Sequence, residues 1–299
     1  MKKGNVFTKH STPFLLAPYA FMFIFFIIIP IIAAVGLSFT YYNTIEPPKF
    51  TGLSNYLNLF TNDEVFMRNV LPNTVIYAIF VGIGGYLLAF VLAWALSQIT
   101  KGPRTVLALI IYSPSMTGGV MLSTVWSVIF NGNESGYLNY ILLKFNIIDQ
   151  PIVWLSSEKH LLWIMIAVTL WSSMGIGFLS MLSGILNVNE ELYEAAYIDG
   201  VKNRFQEIIY VTIPSAKPQM LFGAVMAIVN TFQSSGIGTV LSGANPTPSY
   251  AGQLIVSHIE DYGFLRYEMG YAAAVSVVLL VGIYLMTKGV NKILGSKDE

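Results

Sequence analysis

Six long stretches of the chain carry no Asp, Glu, Lys or Arg: residues 14–39, 71–99, 106–130, 161–186, 220–241 and 269–287. A helix needs about 20 apolar residues to cross the hydrocarbon of a bilayer, and every stretch approaches or exceeds that length. One charge at a helix centre costs about 2.5–3.5 kcal/mol on the insertion scale, so six charge-free runs weigh strongly against a very apolar soluble bundle. The pattern predicts an all-α polytopic membrane protein with six transmembrane helices, forming a single domain over 1–299.

Composition agrees: 55% of residues are hydrophobic, 11% are charged and the mean hydropathy is +0.63, against about 25% charged in an ordinary soluble domain. The formal net charge is zero, so no basic field draws nucleic acid. The absence of cysteine excludes disulfides, thiolate metal sites and cysteine nucleophiles. With the N-terminus inside, the inner segments hold Lys2, Lys3, Lys9, Lys101, Arg104, Lys202, Arg204, Lys217, Lys288, Lys292 and Lys297, eleven of the sixteen basic residues. The positive-inside rule then puts both termini in the cytoplasm. The first run is longer than a signal-peptide core and lacks a small-residue cleavage site, so it reads as a retained helix.

Outer loops are expected near 40–70, 131–160 and 242–268, with a tight inner turn at "TKGPRT". Gly85, Ala89 and Ala93 form a small-residue stripe on the second helix that invites close approach of a neighbour; packing accounts for it without chemistry. Pro114 with Gly118 and Gly119 predicts a kink or break in the third helix, tolerated in a membrane only where protein or a wet cavity satisfies the freed backbone groups.

The inner segment at 187–215 differs from everything around it. Asn187 with Glu190 three residues on approaches a capping box; Leu192, Ala195, Ala196 and Ile198 offer an apolar side, and Gly200 suits a helix end. A second helical stretch runs through Phe205, Ile208, Ile209 and Tyr210 to Pro214, and Pro218 opens the fifth helix. Two amphipathic helices therefore lie on the cytoplasmic face, nearly at right angles. Such a pair could rest among lipid headgroups, but Glu190, Glu191, Glu194 and Asp199 make the first helix acidic. An acidic helix with a flat alanine patch suits a protein groove better.

Catalytic constellations are missing. His10, His160 and His258 lie outside the predicted spans without metal-ligand spacing, and no phosphate loop of the form G-x-x-x-x-G-K-[ST] occurs. Ionisable residues inside the spans, the usual mark of ion-coupled carriers, are also absent. Polar uncharged residues gather on two helices instead: Thr169, Ser172 and Ser173 on the fourth, and Asn230, Thr231, Gln233 and Ser234 on the fifth. Residues three and four apart share a helix face. These groups could bond a polar substrate, or bond between helices as polar residues in bundles often do.

"EAAYIDGVKNRFQEIIYVTIP" resembles the EAA signature of bacterial ABC-importer permeases, in which E-A-A, three residues and G precede a spacer ending in I-x-L-P. Glu194, Ala195, Ala196, Gly200 and Pro214 fall on its positions, and Asp199 matches the D-G form common in sugar importers. Val201 stands where alanine is usual and Ile213 where leucine is; both keep an apolar residue. The similarity extends over nearly the whole chain, and is greatest to the first permease subunit of maltose-, lactose- and multiple-sugar-type importers.

The resemblance implies that Glu194, Ala195, Ala196, Asp199, Gly200 and Pro214 belong to a coupling helix seated in a cleft of a cytoplasmic ATPase. It implies a second permease subunit, two ATP-binding subunits that hold ATP and Mg, and an extracytoplasmic solute-binding protein; this chain itself carries no cofactor. In the maltose-type family, sugar contacts come from positions matching Thr169, Ser172, Ser173, Ile176, Ala227, Asn230, Thr231 and Ser234. The expected function is carbohydrate import across the bacterial cytoplasmic membrane, with no catalysis in this chain. The same architecture importing glycerol phosphate or a polyamine is the alternative, weakened by the lack of intramembrane charge.

Overall fold

The computed structural model describes residues 16–117, 119–233 and 236–295. The chain packs as two compact units, one of residues 1–63 with 259–279, the other of 64–258 with 280–299.

The first unit begins with helix α1 (Leu16–Leu37), whose most apolar window has no part buried against the rest of the protein. A short antiparallel pair follows, β1 (Thr40–Tyr41) against β2 (Lys49–Phe50). Asn55 donates to the carbonyls of Ser38 and Thr40, both at 2.9 Å, and the Tyr56 hydroxyl to Ser38 Oγ at 2.7 Å. The buried Asp63 accepts a 2.6 Å hydrogen bond from Tyr271. Tyr262 packs on the Tyr271 ring at 4.5 Å, and the Arg266 guanidinium lies 4.2 Å over Tyr262 while bonding Asp261 at 2.7 Å.

The second unit holds α2 (Phe66–Ser97). It starts five residues before the predicted 71, because a wide π turn over Phe66–Val70 precedes Pro72, which has no N–H to give the helix, and buries Phe66 and Val70. Gly85, Ala89 and Ala93 are all buried, as the packing stripe requires. The predicted 106–130 helix is instead two: α3 (Lys101–Tyr112) and α4 (Gly119–Ile129), separated by a 3-10 turn at Ser113–Met116 and an extended Thr117. Pro114 breaks the helix as expected; Gly118 lies outside the described residues. The "TKGPRT" segment is not a turn. It forms the first turn of α3, where Pro103 meets no missing partner.

In the loop beyond α4 a further helix, α5 (Tyr137–Lys144), was not foreseen. Its fully buried Asn139 donates to the carbonyls of Asn131, Asn133 and Ile152 and accepts from Ile152 N and Trp154 Nε1. The stretch predicted as one helix over 161–186 is also two, α6 (Leu161–Ser172) and α7 (Ile176–Leu186), bent by 46°. Gly175 leaves helical backbone at φ −94°, ψ −146°. The hydroxyls of Ser172 and Ser173 turn back to the carbonyls of Val168, Thr169 and Leu170, covering the acceptors at the end of α6.

The inner segment forms α8 (Glu190–Ile198) and α9 (Arg204–Glu207), the latter continuing as a wide turn to Thr212. Then come α10 (Lys217–Gln233) and α11 (Ile237–Ser242), which cover the predicted helix over 220–241 on either side of residues 234–235, outside the described residues. Finally α12 (Met269–Leu294), which belongs to the first unit up to Leu279 and to the second beyond it, outruns the predicted end at 287 by seven residues. Glycines bring α7 and α10 together: a Cβ on Gly177 would meet the Gly223 carbonyl at 3.3 Å, and one on Gly184 would meet Gln219 Cβ at 2.7 Å. Ala89, Ala93 and Leu96 of α2 share a core with Phe178, Met181 and Ile185 of α7.

Among the described residues, α1, α2 and α12 are each long and apolar enough to cross a membrane, and the bent α6–α7 pair makes a fourth if it is one span.

Candidate functional site

Two features of the second unit stand out. One is the α8–α9 pair. The N-cap of α8 is Asn189, not the expected Asn187: Asn189 Oδ1 accepts from Glu191 N at 3.2 Å, while Asn187 bonds Ser183 Oγ behind it. Asn189 has the extended backbone an N-cap needs, whereas Asn187 sits at the end of α7. Glu190 and Glu191 occupy the first turn, where the helix dipole favours negative charge. At the other end, Val201 N donates to Ala196 O at 2.9 Å and Gly200 N to Tyr197 O at 3.2 Å. That is a Schellman closure, and it puts Gly200 at φ +98°.

The chain then re-enters helix through Asn203, whose Oδ1 accepts from Gln206 N at 2.9 Å while Gln206 Oε1 accepts from Lys202 N. Tyr193 and Tyr197, one turn apart, fasten α8 to α9 and the wide turn that extends it. Tyr193 lies 3.2 Å from Thr212 Oγ1, and Tyr197 donates to Glu207 at 2.8 Å. Arg204 completes the clasp, with Nη1 2.8 and 3.1 Å from the two Glu207 oxygens. The hydrogen bonds to Glu207 raise both the Tyr197 phenol and the Arg204 guanidinium above their ordinary pKa values.

With the tyrosines facing inward, Leu192, Ala195, Ala196, Asp199 and Gly200 line an open groove of about 510 Å³, closed on its far side by Gln206, Tyr210, Val211 and Ser215. Glu194 is exposed outside that groove, and Pro214 is exposed in the turn before α10. Ile198, Phe205 and Tyr210 show large apolar surfaces beside it. The expected helix pair is present with its small-residue patch uncovered.

The second feature is a cavity of about 550 Å³ enclosed by α2, the end of α3, α6, α7 and α10, within the size range of small-molecule sites. Thr169, Ser172, Ser173, Asn230 and Thr231 all line it, with Ile176 and Ala227. Ser234 and the side chain of Gln233 lie outside the described residues. The Thr169 hydroxyl is 2.8 Å from Tyr77 OH, so it also ties α6 to α2, and Thr231 Oγ1 donates to Ala227 O at 2.7 Å. Hydroxyls bonded this way keep lone pairs for a further donor. The break at Gly175 falls at the cavity wall: a Cβ there would lie 3.9 Å from Asn230 Nδ2 and 3.8 Å from Ser115 Cβ.

Sequence reasoning missed the contributions of α2 and α3. Tyr86, Tyr112, Ser115 and Met116 also line the cavity. Pro114 was the available signal for Ser115, since a broken helix end needs a lined cavity; Tyr86 had none beyond its place beside Gly85. Among the described residues, none that lines the cavity is an Asp, Glu, Lys, Arg or His.

Residues 69–296 match the family described as binding-protein-dependent transport system inner membrane component. The chain belongs to this family. It is an ABC-importer permease, similar over nearly all of its length to other permeases. It is 33% identical over 295 residues to the probable ABC transporter permease protein YesP of Bacillus subtilis (strain 168), covering 96% of this chain and 92% of that protein. It is 31% identical over 293 residues to the arabinooligosaccharides transport system permease protein AraP of the same organism, covering 97% and 90%. Its fold matches a chain of the crystal structure of bacterial alginate ABC transporter in complex with alginate pentasaccharide-bound periplasmic protein, with a TM-score of 0.78 at 20% identity, covering 97% of each chain.

Proposed function

We propose that this permease is one half of a carbohydrate path through the bacterial cytoplasmic membrane, spanning it six times with both termini inside, and that α8 couples it to ATP hydrolysis in a separate subunit. The observation that carries the carbohydrate reading is the cavity. Five hydroxyl- or amide-bearing residues from α6 and α10 converge there with two tyrosines, and no charged side chain among the described residues enters. Hydroxyls, amides and aromatic faces suit an uncharged sugar, whereas a phosphate or polyamine would go unpaired in a site away from water, at a cost of several kcal/mol. The similarity to AraP makes a neutral arabino-oligosaccharide the first substrate to try.

The complex consists of this chain as the first permease, a second permease, two ATP-binding subunits and an extracytoplasmic binding protein that delivers the sugar. Glu194, Ala195, Ala196, Asp199 and Gly200 form the docking face toward the ATPase, with Pro214 ending the segment. Closure of the ATPases on ATP displaces α8 and turns the cavity from outward- to inward-facing. Thr169, Ser172, Ser173, Asn230, Thr231, Gln233 and Ser234 are the substrate contacts from this subunit.

The test is uptake of labelled arabinotriose into proteoliposomes holding the complete importer, with the binding protein outside and ATP inside. Asn230→Ala should lower uptake per assembled complex without loss of ATPase subunits. Equal loss of uptake and assembly marks Asn230 as structural. Normal uptake moves the sugar site elsewhere.

A further inference from the structure

The Tyr86 hydroxyl is buried and, among the described residues, has no hydrogen-bond partner. The residue itself is only partly buried, and its side lines the cavity. Around it Ala89 shares a core with α7, and a Cβ on Gly85 would lie 3.4 Å from Ser173 Oγ and 3.5 Å from Leu170 of α6, so α2 is held close to the bend at Ser173–Gly175. Burying a phenol O–H without a partner costs free energy that phenylalanine at the same position would avoid. Its ring alone would satisfy the apolar packing against the core to which Phe178 and Met181 belong. The open space bordering this residue is the cavity, to which Ser172, Ser173 and Asn230 bring polar groups.

We propose that Tyr86 is a substrate-contacting, specificity-determining residue, its hydroxyl pairing with a hydroxyl of a neutral glycan during passage. The assignment rests on the carbohydrate reading of the cavity and extends it to α2, beside Ser173 and Thr231. A phenol O–H both donates and accepts, which matches the dual character of sugar hydroxyls. Its aromatic face adds an apolar surface for the C–H side of a pyranose or furanose ring. With Asn230 on α10 and Ser172 on α6, it gives the sugar hydrogen-bonding groups from three helices instead of two.

The experiment compares Tyr86→Phe with wild type and Asn230→Ala in the reconstituted importer, using arabinotriose, maltotriose and raffinose as probes. Because the hydroxyl bonds none of the described residues, Tyr86→Phe should leave assembly intact and should hold or raise the thermal midpoint of the complex. For the transported probe its apparent KM should rise about three- to tenfold, the worth of one ordinary hydrogen bond. An unchanged KM in Tyr86→Phe with impaired uptake in Asn230→Ala overturns the role of Tyr86 alone. A fall in thermal midpoint that accounts for the lost uptake makes the hydroxyl structural and also overturns it. If the wild type moves none of the three probes, or neither variant alters uptake, the carbohydrate reading of the cavity falls and this assignment with it.

Discussion

The Tyr197 hydroxyl donates a 2.8 Å hydrogen bond to Glu207 across the turn that separates α8 from α9. Glu207 is almost fully buried, while its partners Tyr197 and Arg204 are half or more exposed. One carboxylate thus joins with the Tyr193–Thr212 contact to hold α8 against α9 and the turn that extends it. Glu207→Ala leaves both partners free to reach water, so global stability should change by no more than about 1 kcal/mol, as for surface pairs. Transport should nevertheless fall, because α8 is no longer held to the chain behind it. Uptake normalised to assembled complex, measured beside thermal unfolding, checks this; a parallel loss of both means the clasp is a stability element only.

Gly200 supplies a backbone conformation, not space. A Cβ there would meet nothing within 4 Å, yet φ is +98°. Gly200→Val should cost about 1–3 kcal/mol of local strain and weaken capture of the ATPase subunits. Gly200→Asn, which tolerates positive φ better, should be milder. Co-purification of the ATPase with each variant gives the ranking; equal effects from Val and Asn would point to side-chain interference at the interface instead.

Orientation is testable because the chain has no cysteine of its own. Cysteine placed at the exposed Glu134 should react with an impermeant maleimide added to intact cells. Cysteine at the exposed Lys202 should react only after the membrane is opened. The opposite pattern would invert the topology.

Tyr262 gives a pH signature in the first unit. Burial, followed by the negative charge of Asp63, pushes its phenol up to about 12, against about 10 for a free tyrosine. Folding therefore favours the neutral phenol. The stability linked to it is intact below pH about 10 and is lost as pH rises from there toward about 12. The ultraviolet difference titration between wild type and Tyr262→Phe should show one phenol ionising near the upper value, and Asp63→Asn should lower that midpoint.

Much of the helical content was readable from the charge-free runs, because each excludes a residue type that a bilayer penalises. Helix covers most of the described residues in every run. The interruptions were not all readable. Pro114 announced the break between α3 and α4, but the bend at Ser173–Gly175 carries no proline, and glycine in a membrane helix usually signals packing, as Gly177 and Gly223 do. The choice of Asn189 over Asn187 as cap depends on where α7 ends, which local spacing does not encode. Five cavity residues on α6 and α10 were found because polar side chains are conspicuous in an oily run. Tyr86 and Tyr112 were missed for the converse reason: in a uniformly apolar helix the periodicity that distinguishes inner from outer face is erased, and a tyrosine reads as one more large side chain.

The bend between α6 and α7 makes that pair a jointed arm. α7 is about 16 Å long at 1.5 Å per residue, and only residues 187–189 separate its far end from α8. A 10° swing about Gly175 carries that end through on the order of 3 Å while α6 stays seated in its own core. At the bend, where α7 parts from α6, Ser115 and Asn230 lie within 4 Å of where a Cβ on Gly175 would be. A displacement imposed at one end of the arm is therefore geared down to a small rotation at the cavity, where a change of a few degrees is enough to trade one set of hydrogen-bond directions for another.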